Sequence, residues 1–474
     1  GTQGARVILL DTAGNVIASE EETFALSEQS REEQSPVEWW NTCFKSLKNL
    51  VDGVKAQVNL NDIIAIAATS TSGTVIPLDA DNQPLHGAIM YSDKRSAIQG
   101  EKCTAIAEQY HKKGFTSFNA SSGLAKMVWF VENFPKKVIY IKKWIHAADY
   151  IIGKLSGNWG VTDYTNAFKS GYDVSTFEWP SYLYEQLPLK KEWLPEVVAS
   201  GTIIGKIATD LSLVLGLPEH IKIAAGITDG CASQIASGAM NPGDWNTTIG
   251  TTMVIKGVTI NEVVDLKGRL YSHRHPAGYW MPGGASNTGA DWVTNEFGDD
   301  LKELNSQAER LIPTGYIAYP LMQQGERFPM ISPQATGFIP EGLSKAERFT
   351  ANMEGVAYLE RYAYDLIEHL SGEQVNAVFT AGGGSNSTSW LTIRSNVLNR
   401  PIYKMKYVTG AVGAAILAAS NTYFNSIIEA AKKLTIVDKE FHPKKELARK
   451  YDQNYIRFLV KMQEKGFIPD TLYA

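Results

Sequence analysis

The chain has 474 residues, of which 44% are hydrophobic and 20% are charged, and its formal net charge is −5. This length is too great for one hydrophobic core and predicts two or three domains. The acidic balance argues against nucleic acid as the main partner, and the longest apolar runs are far shorter than a membrane span. The three cysteines are widely separated and have no metal-ligand spacing, which favours a reducing cytoplasm.

The first half of the chain predicts an α/β order that begins with a hairpin. Apolar runs on either side of a glycine-containing turn favour the hairpin, an apolar stripe at helical spacing favours a helix, and continuous apolar runs favour buried strands. In chain order, the expected elements are strands at 5–10 and 16–18, a helix at 36–54, and strands at 63–68 and 74–78, the former buried.

The second half repeats this theme around a second small-residue turn, Gly250-Thr251. The expected elements are strands at 245–250 and 252–256, a helix at 351–370, a buried strand at 377–380, a small-residue helix at 410–419, and a charged amphipathic helix after Val437. We therefore predict two α/β domains, residues 1–235 and 236–474. Ligands of such pairs tend to lie in the cleft between the domains.

Asp229 follows an apolar strand and precedes a small-residue helix. Such junctions are the usual place for catalytic groups in open α/β sheets, whereas an aspartate there can also cap the first amides of the helix. The flanking glycines, Gly226 and Gly230, let a ligand approach the backbone. We therefore favour a catalytic role over capping alone.

Three consecutive glycines, 382–384, lie between a predicted buried strand and an apolar helix. A helix N-terminus without side chains in the way can accept a phosphate or a flat base. A flexible connector is the alternative, but connectors rarely join two packed elements.

Ser72, Asp93 and Arg95 form a predicted polar patch at the ends of two apolar stretches. A hydroxyl, a carboxylate and a guanidinium suit hydrogen bonding to a polyhydroxylated ligand. An ordinary surface ion pair between Asp93 and Arg95 is the alternative.

Together these segments resemble the FGGY carbohydrate kinases, members of the superfamily that also contains actin and the heat-shock chaperone ATPases. The resemblance covers nearly the whole chain and implies an α/β protein of two actin-like (ribonuclease-H-like) domains with a cleft between them. It rests on motifs in the family's order: 1–2 and 249–252 as phosphate turns, 91–95 as the sugar motif, 126–133 as a family signature, 228–230 as the catalytic-base motif, and 382–390 as the adenosine motif.

The resemblance implies phosphoryl transfer from MgATP to a sugar hydroxyl, a reaction that depends on in-line positioning and charge neutralisation. It implies that Asp229 takes the proton from the hydroxyl and contributes to the Mg²⁺ site. The implied ligand-binding residues are Gly1, Thr2, Gly250 and Thr251 for the phosphates, Gly289, Gly383, Gly384 and Ser387 for the adenosine, and Ser72, Asp93, Arg95 and Asp229 for the sugar.

Residues 272–276 and 283–287 are most similar to the D-ribulose kinase group, which implies a ketopentose phosphorylated at a primary hydroxyl. Alternatives are a D-xylulose kinase, another sugar or polyol kinase, and, from a different class, a catalytically silent sugar- or nucleotide-binding regulator. The expected partners are the sugar and ATP, without nucleic acid or membrane. The oligomeric state is left open, with a homodimer among the alternatives.

In the family, a strand ending in Asp-x-Gly-Thr precedes the first turn, and its aspartate helps to hold Mg²⁺. This chain starts at Gly1, so we expect the natural protein to be longer. Without that strand, the neighbouring strands would lose ladder partners and apolar burial, at a cost of roughly several kcal/mol.

Overall fold

The computed structural model describes residues 2–110, 117–298 and 300–470, so Gly1, a predicted phosphate-turn residue, lies outside the described residues. The chain divides into two compact units. Unit 1 contains the described residues up to Ala236 together with Pro276–Gly278 and Val408–Thr435. Unit 2 contains Ser237–His275, Tyr279–Tyr407 and the described residues from Ile436 onward. Both units mix helices with sheets, as predicted.

The elements up to Ala236 alternate between short strands and helices. The strands are β1 (Gly4–Leu10), β2 (Val16–Thr23), β3 (Glu33–Gln34), β4 (Ala65–Ile66), β5 (Thr69–Ser70), β6 (Val75–Leu78), β7 (Ala88–Ile89), β8 (Lys143–His146), β9 (Val161–Asp163), β10 (Glu196–Val198), β11 (Ile203–Lys206), β12 (Lys222–Ala224) and β13 (Ile227–Thr228). The helices are α1 (Pro36–Val54), α2 (Ala97–Tyr110), α3 (Gly123–Asn133), α4 (Pro135–Val138), α5 (Ala147–Ser156), α6 (Tyr164–Phe168), α7 (Tyr182–Glu185), α8 (Thr209–Leu215) and α9 (Asp229–Ala236).

The remaining elements complete both units. The strands are β14 (Asp244–Ile249), β15 (Met253–Gly257), β16 (Tyr271–Arg274), β17 (Trp280–Ser286), β18 (Ala377–Ala381), β19 (Ile402–Met405) and β20 (Val437–Phe441). The helices are α10 (Asp291–Glu296), α11 (Leu301–Leu311), α12 (Lys345–Ser371), α13 (Thr388–Leu398), α14 (Gly410–Ala419), α15 (Ile427–Leu434) and α16 (Lys445–Glu464).

Helix α1 forms where the sequence predicts it, for local reasons. The Ser35 hydroxyl accepts the Glu38 N–H at 3.2 Å, and Pro36 occupies the first turn, where its missing N–H costs nothing. Trp39 and Leu50 are buried on the face that packs against the hairpin β1–β2 and helix α5. The hairpin, too, is confirmed, with Gly4 paired to Thr23 and Leu10 to Val16.

The predicted strand at 63–68 is shorter and less buried than expected. Only Ala65–Ile66 and Thr69–Ser70 form ladders, and residues 63–70 are half-buried rather than buried. Strand β4 is the edge of the three-stranded sheet β11-β12-β4, and β5 pairs with β13. Because these strands have neighbours on one side, only part of their apolar surface is covered.

Unit 2 is built on a seven-stranded sheet in the order β16-β17-β15-β14-β18-β19-β20. Strands β14, β18 and β19 run parallel to one another, and β14 and β15 form the predicted antiparallel pair. The 27-residue helix α12 begins at a Ser344–Glu347 capping box and ends at Gly372, whose φ of 68° suits a glycine. Its buried residues include Met353, Tyr358 and Tyr364, within the unit's core.

Helix α14 returns to unit 1 and packs directly against α9. A Cβ at Gly413 would overlap the backbone of Ala232, so a glycine allows the two helices to touch. This contact fixes α9, the helix that begins at Asp229. Within the described residues, we find no helix with the length and apolar character that crossing a bilayer requires.

Candidate functional site

Asp229 stands at the first position of α9, where parallel strands β5 and β13 end. Its side chain is exposed, and Oδ1 accepts the Gly230 N–H at 2.7 Å. Asp229 therefore does engage a local amide, as the capping alternative requires, while remaining open to solvent. An exposed carboxylate held at a helix start can accept a proton from a ligand hydroxyl.

A buried hydrogen-bond network holds the backbone immediately before Asp229. The Thr228 N–H donates to Thr165 Oγ1 at 2.9 Å, and the Thr165 hydroxyl donates to Asp163 Oδ2 at 2.8 Å. The Ser200 hydroxyl and the Asn166 amide also donate to the Asp163 carboxylate, each at 2.5 Å. Burial raises the pKa of Asp163, and these hydrogen bonds oppose that shift.

Sequence reasoning missed this network because its members are far from Asp229 along the chain. The available signal was the pattern Asp163-Tyr164-Thr165-Asn166, an aspartate that caps a short helix and accepts from the Thr165 and Asn166 amides. The pattern alone does not reveal that Thr165 also reaches Thr228.

The structure brings Asp93 and Arg95 together in a fork-like ion pair. Arg95 Nη2 lies 2.7 Å from Asp93 Oδ2, and Arg95 Nε lies 3.0 Å from the same oxygen. The guanidinium also reaches Glu33 Oε1 at 2.6 Å and lies 4.4 Å from the centre of the Trp129 ring. Asp93 is only 1% exposed, so this pair is not an ordinary surface contact.

Ser72 lies on a turn next to this ion pair. The Thr74 hydroxyl accepts the Tyr91 N–H at 3.2 Å, and Gly73, with φ of 83°, packs so closely on Ser121 O that a Cβ would overlap it. Among the described residues, the Ser72 hydroxyl is buried and has no hydrogen-bond partner. A buried, unsatisfied hydroxyl is costly unless a ligand or water completes it, so Ser72 fits a polar ligand.

Lys126, in α3, contacts the backbone of two turns, one at Asp93 and the other at Ala120. Its Nζ donates to Ala120 O and lies 3.5 Å from Asp93 O, and its side chain is fully buried. Burial, with smaller contributions from Lys169 and Arg95, lowers the pKa of Lys126 to about 7, while Asp93 acts in the opposite direction. The residue was part of a recognised motif, but its burial could not be read from the sequence.

This pKa gives a signed prediction for stability. Between pH 7 and 10.5, the unfolded chain holds a proton on Lys126 that the folded chain releases, so stability rises with pH across this window. Below pH 7 the penalty is present in full. We therefore expect the free energy of unfolding of the wild type to rise relative to Lys126→Met between pH 7 and 10, as measured by urea denaturation. If the difference in free energy of unfolding between the two proteins did not change with pH, it would contradict the interpretation that the folded protein disfavours the charged form of Lys126.

In unit 2, the Gly250-Thr251 turn is held from both sides. The Gly250 N–H donates to Thr252 O at 3.0 Å, Ala290 N–H donates to Gly250 O at 2.8 Å, and Met253 N–H donates to Thr288 O at 3.0 Å. The Gly250 amide is thus engaged within the turn itself. The exposed Thr251 sits at the tip, the position at which a turn presents its backbone to a ligand.

The segment 288–290 packs against this turn so closely that only a glycine fits at position 289. A Cβ at Gly289 would lie 2.5 Å from Thr251 O and 2.6 Å from Thr252 Cα, distances that backbone atoms do not tolerate. The glycine therefore positions the Gly250-Thr251 turn from behind.

We expect Gly289→Ala to displace this turn and to destabilise the protein by about 1–3 kcal/mol, because the clash involves backbone atoms. If the turn binds nucleotide, KM for ATP rises as well. Thermal unfolding and ATP-dependent kinetics test both effects. The matched control is Gly53→Ala, in helix α1, where nothing lies within 4 Å of the new Cβ and a neutral or stabilising result is expected. Equal stability and equal KM for ATP in the two variants would contradict the predicted clash at Gly289.

The glycine run at 382–384 and the Gly250 turn lie at the same end of the sheet, because they follow the C-terminal ends of the parallel neighbours β18 and β14. Gly382 has φ of 83° and contacts the backbone of Ile249, whereas Gly383 has no atom within 4 Å of its Cβ position. Gly384 packs against the Ile249 side chain. Gly383 thus leaves an unobstructed surface, which fits a flat base or a phosphate.

Ser387 caps α13: its hydroxyl accepts the Trp390 N–H at 3.1 Å and donates to Asn305 Oδ1. The residue therefore orders the helix that follows the glycine run.

The candidate residues fall into two groups. Thr2, Ser72, Asp93, Arg95 and Asp229 belong to unit 1, and the others belong to unit 2, namely Gly250, Thr251, Gly289, Gly383, Gly384 and Ser387. Within unit 1, Thr2 and Asp229 line the same cavity. The described residues contain no group of three or more histidine, cysteine, aspartate or glutamate side chains placed to hold a metal ion.

Comparison with known proteins identifies the relatives of this chain. The profile of the FGGY family of carbohydrate kinases, N-terminal domain, matches residues 1–236, and that of the C-terminal domain matches residues 245–422. A xylulose kinase of Bacillus subtilis (strain 168) is 26% identical over 470 residues, covering 95% of this chain and 93% of that protein. A gluconokinase of Bacillus licheniformis is 25% identical over 478 residues, covering 95% and 92%.

A solved structure, a xyloylose kinase from Brucella ovis, superposes with a TM-score of 0.86 at 21% identity, covering 98% of each chain. The fold and the profiles thus define a carbohydrate kinase with an actin-like, two-domain fold. The chain belongs to the FGGY family of carbohydrate kinases, and the predicted family, fold class and enzyme class are confirmed.

Proposed function

We propose that this sugar kinase transfers the γ-phosphate of MgATP to a primary hydroxyl of a ketopentose. The observation that carries the proposal is the exposed carboxylate of Asp229 at a rigidly held helix start, in a chain of the FGGY family. Asp229 accepts the proton of the sugar hydroxyl as that oxygen attacks phosphorus. The hydrogen bonds through Thr228 and Thr165 to Asp163 keep it in position.

The sugar is bound by Ser72, Asp93 and Arg95. The unsatisfied Ser72 hydroxyl supplies one hydrogen bond, and the fixed Arg95–Asp93 fork supplies directional donors and acceptors. Glu33 and Trp129 hold the guanidinium in place, so that little side-chain entropy is lost when the sugar binds.

The nucleotide is bound by the glycine turns. The Gly250-Thr251 turn, through Thr251 at its exposed tip, holds the phosphates together with Thr2 and Gly1. Gly383, Gly384 and Ser387 seat the adenosine, and Gly289 supports the phosphate turn. Mg²⁺ usually takes one or two carboxylates and completes its shell with phosphate oxygens and water. A lone Asp229 fits that donor set. When bound, the ion neutralises charge that develops on the transferred phosphoryl group.

D-Ribulose is the first candidate substrate, because residues 272–276 and 283–287 resemble the D-ribulose kinase group. D-Xylulose is the second, because relatives that span almost the whole chain are named xylulose kinases. The two ketopentoses differ in the stereochemistry of one carbon.

A coupled assay of ADP release over D-ribulose, D-xylulose, gluconate and glycerol tests the proposal. We expect kcat/KM to be greatest for one of the two ketopentoses. If kcat/KM were greatest for gluconate or glycerol, the ketopentose would be rejected as the substrate, but the kinase activity would not. Binding of ATP and sugar without turnover on any acceptor would favour the alternative that the protein is a catalytically silent regulator.

A further inference from the structure

Glu326, in unit 2, is a buried carboxylate that binds three consecutive residues at the end of β17. The residue is only 3% exposed. Its Oε2 accepts hydrogen bonds from the Ser286 and Thr288 hydroxyls, each at 2.8 Å, and its Oε1 accepts the Asn287 N–H at 2.6 Å. The Asn287 side-chain amide also donates to Gly325 O at 2.9 Å, next to the carboxylate. These three residues, the segment 286–288, are therefore fixed through both backbone and side chains.

The carboxylate of Glu326 is itself held in position. Its backbone forms a bridge with Ser332, in which each N–H donates to the other residue's carbonyl oxygen at 2.9 Å. The Tyr319 hydroxyl donates to Oε2 at 3.0 Å, and the Arg327 N–H donates to Oε1 at 2.9 Å. The two oxygens thus accept five hydrogen bonds, which matches an ionised carboxylate because that group has acceptors and no donor.

The segment 286–288 supports the Gly250-Thr251 turn through backbone hydrogen bonds. The Met253 N–H, which follows the turn, donates to Thr288 O at 3.0 Å. The Ala290 N–H, which follows the segment, donates to the Gly250 carbonyl oxygen at 2.8 Å. Because these bonds are short-range and directional, a shift of the segment displaces the turn. The buried carboxylate therefore acts on the turn through the segment.

A second buried carboxylate in unit 2 holds a different part of the structure. Glu354 is fully buried and accepts the Thr314 N–H, the Thr314 hydroxyl and the Tyr451 hydroxyl. Those donors belong to the loop after α11 and to α16. Both carboxylates need their hydrogen bonds to offset the cost of burial, but only three of the donors to Glu326 belong to the segment that supports the turn. The pair separates the effect of position from the effect of burial.

We propose that Glu326 is a positioning residue for nucleotide binding, whose carboxylate holds the Gly250-Thr251 turn in the geometry that accepts the phosphates of ATP. The inference rests on the proposed function, in which this turn binds the phosphates. In Glu326→Gln, the amide oxygen can still accept the two backbone N–H groups. The amide nitrogen then faces three hydroxyls, and their hydrogens lose the acceptor because that nitrogen only donates. The segment 286–288 therefore loses part of its support.

The test compares the wild type, Glu326→Gln and the matched control Glu354→Gln, each as the full chain. Calorimetry without sugar measures Kd for the non-hydrolysable analogue adenylyl imidodiphosphate with Mg²⁺, and Kd for adenosine, which has no phosphate. In Glu326→Gln we expect Kd for the analogue to rise about tenfold to a hundredfold, as a displaced binding group predicts. Kd for adenosine is expected to stay unchanged, and the control is expected to change neither constant.

Thr288→Val keeps the shape of the side chain but removes one donor to Glu326. It is expected to raise Kd for the analogue in the same direction by a smaller factor, and it decides the question if Glu326→Gln does not fold. Unchanged Kd for the analogue, an equal rise in Glu354→Gln, or a parallel rise for adenosine would overturn this proposal and leave the proposed function intact. If the wild type bound the analogue no more tightly than adenosine, the phosphate-binding role of the turn would be rejected as well.

Discussion

Replacing Asp229 by asparagine is expected to lower kcat by about 10²–10⁴-fold, the usual contribution of a general base. The amide keeps the size of the side chain and its acceptor oxygen, so the Gly230 N–H retains a partner. It does not accept the proton of the sugar hydroxyl. KM for the sugar is expected to change little, because the loss falls on the transition state rather than on binding. Steady-state kinetics with the preferred ketopentose measure both parameters.

The matched control is Asp210→Asn, which also changes an exposed aspartate in the first turn of a unit 1 helix, α8. It is expected to leave kcat unchanged. A tenfold or smaller loss in Asp229→Asn, or an equal loss in the control, would contradict the role of Asp229 as the base and leave capping as its function.

Removing the buried charge of Arg394 is expected to destabilise the protein by about 3–5 kcal/mol. Arg394 and Glu360 are both fully buried in unit 2, with Nε to Oε2 at 2.7 Å and Nη2 to Oε1 at 2.8 Å. Arg394 Nη1 also donates to Thr380 Oγ1 at 2.7 Å. In Arg394→Met, the fully buried carboxylate of Glu360 loses its counter-charge, which makes its burial costly. Urea denaturation measures the change.

Arg348→Met removes an arginine from an exposed pair with Glu296, separated by 3.1 Å, and is expected to cost less than about 1 kcal/mol. The double variant Arg394→Met/Glu360→Leu is expected to recover most of the stability lost in the single variant, since no unpaired charge remains. A single variant as stable as the wild type, or a double variant less stable than the single one, would contradict this interpretation of the pair.

The regular elements could be predicted where local signals and burial agree. The Ser35-Pro36 start of α1, the hairpin β1–β2 and the small-residue helix α14 all appear at or close to their predicted bounds. The position of Asp229 at a strand-to-helix junction is also confirmed. In these cases the residues that decide the conformation are neighbours in the chain.

The remaining features depend on contacts between distant residues. Glu33 reaches Arg95 across 62 positions, and Thr165 reaches Thr228 across 63. No local sequence pattern predicts either contact. The strand at 63–68 is shorter than predicted for a related reason. Its apolar run favours a buried strand, but its ladder partners come from distant residues and extend over only Ala65–Ile66 and Thr69–Ser70.

The identity of the phosphorylated product tests the central proposal most directly. The intact protein is incubated with MgATP and D-ribulose or D-xylulose, and the mixture is analysed by ³¹P NMR with proton coupling. We predict a new phosphomonoester signal split into a triplet by the two protons of a primary carbon, formed in equal amount with ADP. Release of inorganic phosphate alone, or a doublet from a phosphate on a secondary hydroxyl, would contradict transfer to a primary hydroxyl of the sugar.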